Sequence, residues 1–236
     1  MQLGHVHVHV RRLCRSCVPR IPVRISYPSA APSVCVFTAG APGSGKTTAL
    51  QSIYGLRNVM LIDLDEAMKL HSEYDAKHPA RVYEKKINYE WANELVERRF
   101  QQAIAAPATN RPAVICVDGT GTHVQRQLRR MQEAKNAGFW VVQLFVRVSL
   151  DTALARNASR QRSVPHGVLS RYVDELEAAV ASVVSEPDLV NEYICLDNEH
   201  DDGLLGFQRW GDSYDQAWRD SVQRHRLVDY ADDADD

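Results

Sequence analysis

The chain has 236 residues, of which 44% are hydrophobic and 25% charged, and its formal net charge is −2. That is enough apolar material for one substantial core, and no apolar run approaches the roughly 18 residues that a membrane-crossing helix needs, so one globular domain with short appendages and no membrane partner is expected. The five cysteines are odd in number, and Cys35, Cys116 and Cys195 sit inside apolar runs where cysteine acts as a small hydrophobe. A disulfide framework is therefore not expected, and the chain reads as cytoplasmic.

Charge is unevenly spread along the chain. Residues 1–62 hold seven Lys or Arg and no acid, whereas residues 63–236 hold 21 basic against 30 acidic residues. Residues 1–32 are expected to be a basic, flexible arm, with the alternation HVHVHV as a short strand and Pro19, Pro22 and Pro28 as a linker. An acid-free start containing Arg and Ser also has the composition of an organellar transit peptide, which makes an organelle the alternative location. Cys14 and Cys17 form one CxxC beside His5, His7 and His9, but a single pair lacks the second pair a zinc site requires. They are read as part of the arm.

From Val34 the pattern changes to short apolar runs alternating with helical periodicity, the mark of βα units that build a parallel sheet. Five strands are expected, at residues 34–39, 59–62, 113–117, 140–146 and 193–196. Helices between them carry apolar stripes through Ile87, Trp91, Leu95, Phe100 and Ile104, through Val124, Leu128 and Met131 up to Gly138, and through Val168, Tyr172, Leu176 and Ala179. These stripes are core. The domain is expected to span residues 33–200, followed by an extension over residues 201–236 that ends in the solvated acidic tail ADDADD.

Residues 40–47 read GAPGSGKT, a complete GxxxxGK[ST] sequence placed after the run VCVFTA and before the helix-compatible TTALQSI. Glycines at Gly40, Gly43 and Gly45 allow backbone N–H groups to converge on phosphate oxygens, and the helix that follows adds its positive end. Gly40, Ala41, Pro42, Gly43, Ser44, Gly45, Lys46, Thr47 and Thr48 form the expected nucleotide-binding set. Lys46 supplies charge to the β- and γ-phosphates, and Thr47 offers its hydroxyl to Mg²⁺. No guanine-reading NKxD segment stands at a suitable position, and the chain is short for a motor ATPase core, which leaves a small kinase.

In open parallel sheets ligands sit outside the carboxyl ends of the strands, so acids just beyond strands are candidate site residues. Asp63 and Asp65 occur in LIDLDEAMK, and Asp118 in AVICVDGTGTH. Phosphoryl transfer needs a carboxylate to orient and deprotonate the attacking hydroxyl and another to hold the metal or its waters. Asp65 is assigned as the base and Asp118 as the metal-side carboxylate, with Asp63 a second candidate that contacts substrate. After the fourth strand, Arg156, Arg160 and Arg162 gather positive charge with no acid between Asp151 and Asp174. They are read as a lid, with Arg156 on the nucleotide and Arg160 and Arg162 neutralising charge on the transferred group.

Taken in order, GAPGSGKTT, IDLDEAMK, VDGTGTH with AKNAGFWVV, VSLDTALARNASRQRSVP and CLDN resemble the zeta-toxin-like kinases over residues 34–198. The resemblance implies a three-layer α/β P-loop NTPase fold with a five-stranded parallel sheet and an arginine-bearing lid, ATP and Mg²⁺ as cofactors, and an acceptor such as UDP-N-acetylglucosamine, phosphorylated in the toxins proper on the sugar 3′-hydroxyl. Lys46 then corresponds to the P-loop lysine, Asp65 to the general base and Thr120 to a substrate-contacting threonine, while Asp197 and Asn198 fall near the nucleotide base. The identity of any antitoxin-like partner is left open. The resemblance extends to polynucleotide 5′-hydroxyl kinases, but a nucleic-acid acceptor calls for a basic entrance to the site and the core is acidic. The remaining alternative is a module that binds ATP for regulation without transferring phosphate.

Overall fold

In the structure, a computed structural model, residues 9–13, 33–54, 59–75, 86–107, 110–159, 164 and 166–199 are described. The run VCVFTA is apolar or small at every position, the pattern of a strand buried on both faces, and each residue of β2 (Val34–Ala39) is buried. Beside it lie β4 (Val114–Asp118) and β5 (Trp140–Arg147), both parallel to β2. Beyond β4 comes β3 (Met60–Asp63), and beyond β5 come β6 (Glu192–Asp197) and β1 (His9–Leu13). The order is β1-β6-β5-β2-β4-β3, with every pair parallel. The connection after β2 leads toward β3, and the one after β4 crosses to β5. The carboxyl end of β2 therefore stands at the switch point where open sheets bind ligands.

All five expected strands are present, and the expected count of five is corrected to six. The additional strand, β1, joins β6 with His9 opposite Glu192 and Leu13 opposite Leu196, and overlaps the HVHVHV alternation at His9 and Val10. An outer strand presents a row of unpaired backbone groups, and a short parallel strand satisfies them without needing an apolar pattern of its own. Three strands also run on to their acids: Asp63, Asp118 and Asp197 are the last residues of β3, β4 and β6.

Alternation along the strands sends successive residues to opposite faces. Cys35, Phe37, Ile115, Val117 and Val141 pack against α3 (Lys86–Ala105), α4 (Val124–Asn136) and α6 (His166–Val184). Val34, Val36, Val114, Cys116, Val142 and Leu144 pack against Ala49, Leu50 and Tyr54 of α1 (Lys46–Tyr54). Two further helices, α2 (Leu64–Lys69) and α5 (Leu150–Ala158), lie near the carboxyl end of the sheet. The inward stripe of α3 is Ala92, Val96, Phe100, Ala103 and Ile104, with Trp91 and Leu95 partly buried against the same core; Phe100 and Ile104 are as expected, and earlier in the helix the buried line lies one position later. On α6 the buried set is Leu169, Leu176, Ala179, Val180 and Val183. The α4 stripe is as expected, and Gly138 takes φ +85 just past its end.

Among the described residues Cys35, Cys116 and Cys195 are buried. The CxxC of Cys14 and Cys17 lies outside the described residues, as do residues 200–236. No helix among the described residues is long and apolar enough to cross a membrane.

Candidate active site

Residues 40–47 fold into a closed loop between β2 and α1. Ser44 N donates to the Ala41 carbonyl at 3.0 Å, and Lys46 Nζ donates back to the Gly40 and Ala41 carbonyls at 2.9 and 3.1 Å. Gly43 and Gly45 have φ +86 and +93, a region L side chains rarely enter. Space is short as well: a Cβ on Gly45 would come 2.6 Å from Asn198 Nδ2, and one on Gly43 would press on Ala153, Arg156 and Asn157 of α5. Ala41 and Ser44 are buried, Pro42 is half-buried, and Thr47 and Thr48 are exposed on the first turn of α1.

The strand-end acids are brought together by register. Asp63 stands opposite Asp118, and Thr38 of β2 stands level with Asp118 because Phe37 pairs with Val117. By alternation all three point to the face covered by α1, the helix that begins with Lys46 and Thr47. Thr38 Oγ1 donates to Asp118 Oδ1 at 2.5 Å and accepts from Gly119 N at 2.9 Å, so a buried hydroxyl fixes the carboxylate.

Asp63 caps α2, accepting from Asp65 N at 2.6 Å and Glu66 N at 3.3 Å. Burial, the facing Asp118 and the nearby Asp65 push its carboxyl up to about 6, against the pull of the two N–H bonds. Asp65 is half-buried in the first turn of this short helix. The structure thus gives Asp63 a turn-capping contact that orients the segment bearing Asp65.

The loop after β4 abuts the phosphate loop. The Thr120 carbonyl accepts from Gly40 N at 3.0 Å, and its hydroxyl lies 3.0 Å from that of Thr122. Gly121 is at φ +83 with the position of its missing Cβ only 2.5 Å from Ala39 Cβ, so DGTG packs directly on the end of β2.

Helix α5 carries the first of the expected lid arginines against the loop. Arg156 Nη1 donates to the Asn198 carbonyl at 2.9 Å. Its neighbour Asn157, buried, exchanges two hydrogen bonds with the Val164 backbone, at 2.8 Å from Nδ2 to the carbonyl and 2.9 Å from N to Oδ1. Those bonds close the base of the segment that contains Arg160 and Arg162, which themselves lie outside the described residues. The pairing of Asn157 with Val164 within the RNASRQRSVP stretch has no signal in the spacing of its residues.

Three further residues at this site had no assigned task in the sequence: Thr38, Asn157 and, as a contact of the loop, Asn198. Asn198 Nδ2 donates to the Ser44 carbonyl at 2.8 Å. Asp197 pairs with Arg147 at 2.7 Å.

A family model described as an AAA domain matches residues 35–180. No curated protein matches the chain. Among solved structures, one chain of the AvrRxo1-ORF1:AvrRxo1-ORF2 complex with sulphate ions is similar with a TM-score of 0.53 and 15% identity, over 68% of this chain and 53% of that one. A chain from the PezAT chromosomal toxin–antitoxin system of Streptococcus pneumoniae is similar with a TM-score of 0.50 and 15% identity, over 73% of this chain and 70% of that one. Shikimate kinase from Acinetobacter baumannii, in complex with shikimate, gives 0.47 and 16% over 77% and 94%. At such identities the likeness is one of fold, and the resemblance to zeta-toxin-like P-loop kinases stands on that footing. Because the matched residues include the phosphate loop, Asp63, Asp65, Asp118 and Arg156 within a parallel sheet of the expected kind, the chain belongs to the AAA-domain family and has a P-loop, kinase-like fold.

Proposed function

We propose that this protein is an ATP-dependent kinase that moves the γ-phosphoryl group to a hydroxyl of a small, nucleotide-linked acceptor of the UDP-N-acetylglucosamine type, in a reducing cytoplasmic compartment. The observation that carries the reading is the row Thr38, Asp118 and Asp63 at adjacent strand ends, on the face covered by α1, with Asp65 one turn beyond. Three carboxylates suited to metal and acceptor are thereby gathered at the end of the sheet that carries the phosphate loop.

The loop N–H groups and the start of α1 hold the polyphosphate, and Lys46 reaches its outer end. The residues fit Mg²⁺: Thr47 presents an exposed hydroxyl, and Asp118 is fixed on the same face by Thr38. Thr47 and Asp118 would hold the ion, which would supply positive charge against the phosphates. Asp65 orients the acceptor hydroxyl and takes its proton as the oxygen bonds to the γ-phosphorus, and the bond to the β–γ bridging oxygen breaks to release ADP. Arg156 contacts the nucleotide, and Arg160 and Arg162 neutralise charge on the transferred group. Thr120 contacts the acceptor beside the phosphate loop.

A small acceptor is favoured over a polynucleotide by where basic charge lies. The strand β1, which carries Arg11 and Arg12, is at the edge of the sheet opposite β3 and Asp65, and residues 63–236 are acidic on balance. The test is transfer from γ-labelled ATP to UDP-N-acetylglucosamine and to a 5′-hydroxyl oligonucleotide offered in parallel. Label on the sugar nucleotide, abolished by EDTA, is expected; label on the oligonucleotide alone would replace this acceptor, and tight ATP binding with no transfer to either would leave a regulatory nucleotide-binding module.

A further inference from the structure

The residues that follow β6 tie the phosphate loop to α5. Asn198 is only 3% exposed. Its Nδ2 donates to the Ser44 carbonyl at 2.8 Å, its N to the Arg147 carbonyl at 2.9 Å, and its own carbonyl accepts from Arg156 Nη1 at 2.9 Å. The next residue, Glu199, accepts from Ser149 N, Ser149 Oγ and Thr152 Oγ1, each at 2.6 Å, at the start of α5. From the other side Gly45 rests directly on the Asn198 amide, with no room for a Cβ.

In a trans peptide the carbonyl and the following N–H point in opposite directions. Holding the Ser44 carbonyl down on Asn198 therefore turns the Gly45 N–H the other way, into the concave side of the loop. We propose that Asn198 is a positioning residue for the phosphate loop: it fixes the Ser44–Gly45 peptide and, through Arg156 and Glu199, makes the loop's shape depend on how α5 is docked. The inference rests on the reading that this loop binds ATP and adds the residue that presets it. A donor is required at this position. An aspartate of the same shape would set an acceptor against the Ser44 carbonyl and a negative charge beneath the phosphates.

The test compares Asn198→Ala and Asn198→Asp with wild type in the full chain, reading KM for ATP, kcat, the Kd for ATP by titration and the thermal midpoint. Asn198→Ala is expected to raise Kd and KM for ATP about tenfold, the scale of one lost buried hydrogen bond, and Asn198→Asp to raise them further, with KM for the acceptor unchanged. A residue that merely packs would lower the midpoint and leave KM for ATP where it was, and that result overturns the proposal. Gly45→Ala gives a second route that does not need Asn198 removed. Its added methyl presses on the Asn198 amide, so the losses of ATP affinity in Gly45→Ala and Asn198→Ala should combine to less than their sum, and strict additivity would contradict the proposed contact. Lys46→Ala separates the two levels: if it leaves both ATP affinity and turnover intact, the nucleotide reading fails; if it impairs either while Asn198→Ala leaves ATP binding unchanged, only the positioning role fails.

Discussion

At Asp63 a single carboxylate answers two demands that pull in opposite directions. As a helix cap it is favoured ionised, but burial and the facing Asp118 favour its neutral form, and the neutral form wins enough to lift it to about 6. A raised carboxyl contributes stability that is fully present below its unfolded value near 4 and is lost as pH rises through 6. Asn caps a helix as well as Asp does and carries no charge. Asp63→Asn should therefore stabilise the metal-free protein by about 1–3 kcal/mol at pH 8 and by little at pH 4, as read from thermal unfolding at the two pH values; an equal effect at both would contradict the repulsion. Thr38 makes a neighbouring case. Thr38→Val keeps the shape of the side chain but leaves Asp118 without its 2.5 Å bond, and the Mg²⁺ concentration needed for half-maximal turnover should rise about 10- to 100-fold. Thr38 was not legible as a site residue, nor Asn198 as a contact of the phosphate loop, because their partners lie far away along the chain, Asn198 and Ser44 being 154 positions apart. No local pattern marks a residue whose task is set only by the register of neighbouring strands.

Between elements, the α3–α4 contact shows how charge is used as mortar. Glu97 receives both Arg129 and Arg130, the former as a two-pronged fork at 2.9 Å to each oxygen, with Arg130 nearly buried. Burial raises the Glu97 carboxyl, but the bonds from Arg129, Gln101 and Arg130 outweigh it and hold it at about 2. Such a lowered acid contributes stability above its unfolded value, near pH 4, and loses it as pH falls through 2. Glu97→Gln should cost about 1–3 kcal/mol at neutral pH, less than a fully buried pair because the site is partly open to solvent, and urea melts should show the gap closing toward pH 2. The strands were legible as elements because parallel strands are apolar on both faces, and the phosphate loop because its glycines are fixed by φ and by closeness of approach. The helix stripes were legible to within one position: on α3, Ala92 faces the core where Trp91 was expected, since a small side chain near the sheet is a matter of packing space and not of hydropathy. β1 was legible only in part, because its pairing depends on the open edge of β6 and not on its own alternation.

For the molecule as a whole, the sheet order separates what the composition only hinted at. The basic arm joins at one edge through β1, and the acids Asp63, Asp65 and Asp118 gather toward the other, with the phosphate loop between them. Substrate approach is then expected from the β3 side, over α2, with ATP held at the centre. The decisive question is whether the acid beyond β3 performs the proton transfer. It is answered by measuring ATP affinity and single-turnover phosphoryl transfer for Asp65→Asn alongside Lys46→Ala. Asp65→Asn should bind ATP as wild type does and transfer phosphate about 10²- to 10⁴-fold more slowly, as expected for loss of a general base, while Lys46→Ala loses affinity or turnover. An unchanged transfer rate in Asp65→Asn would contradict the proposed chemistry.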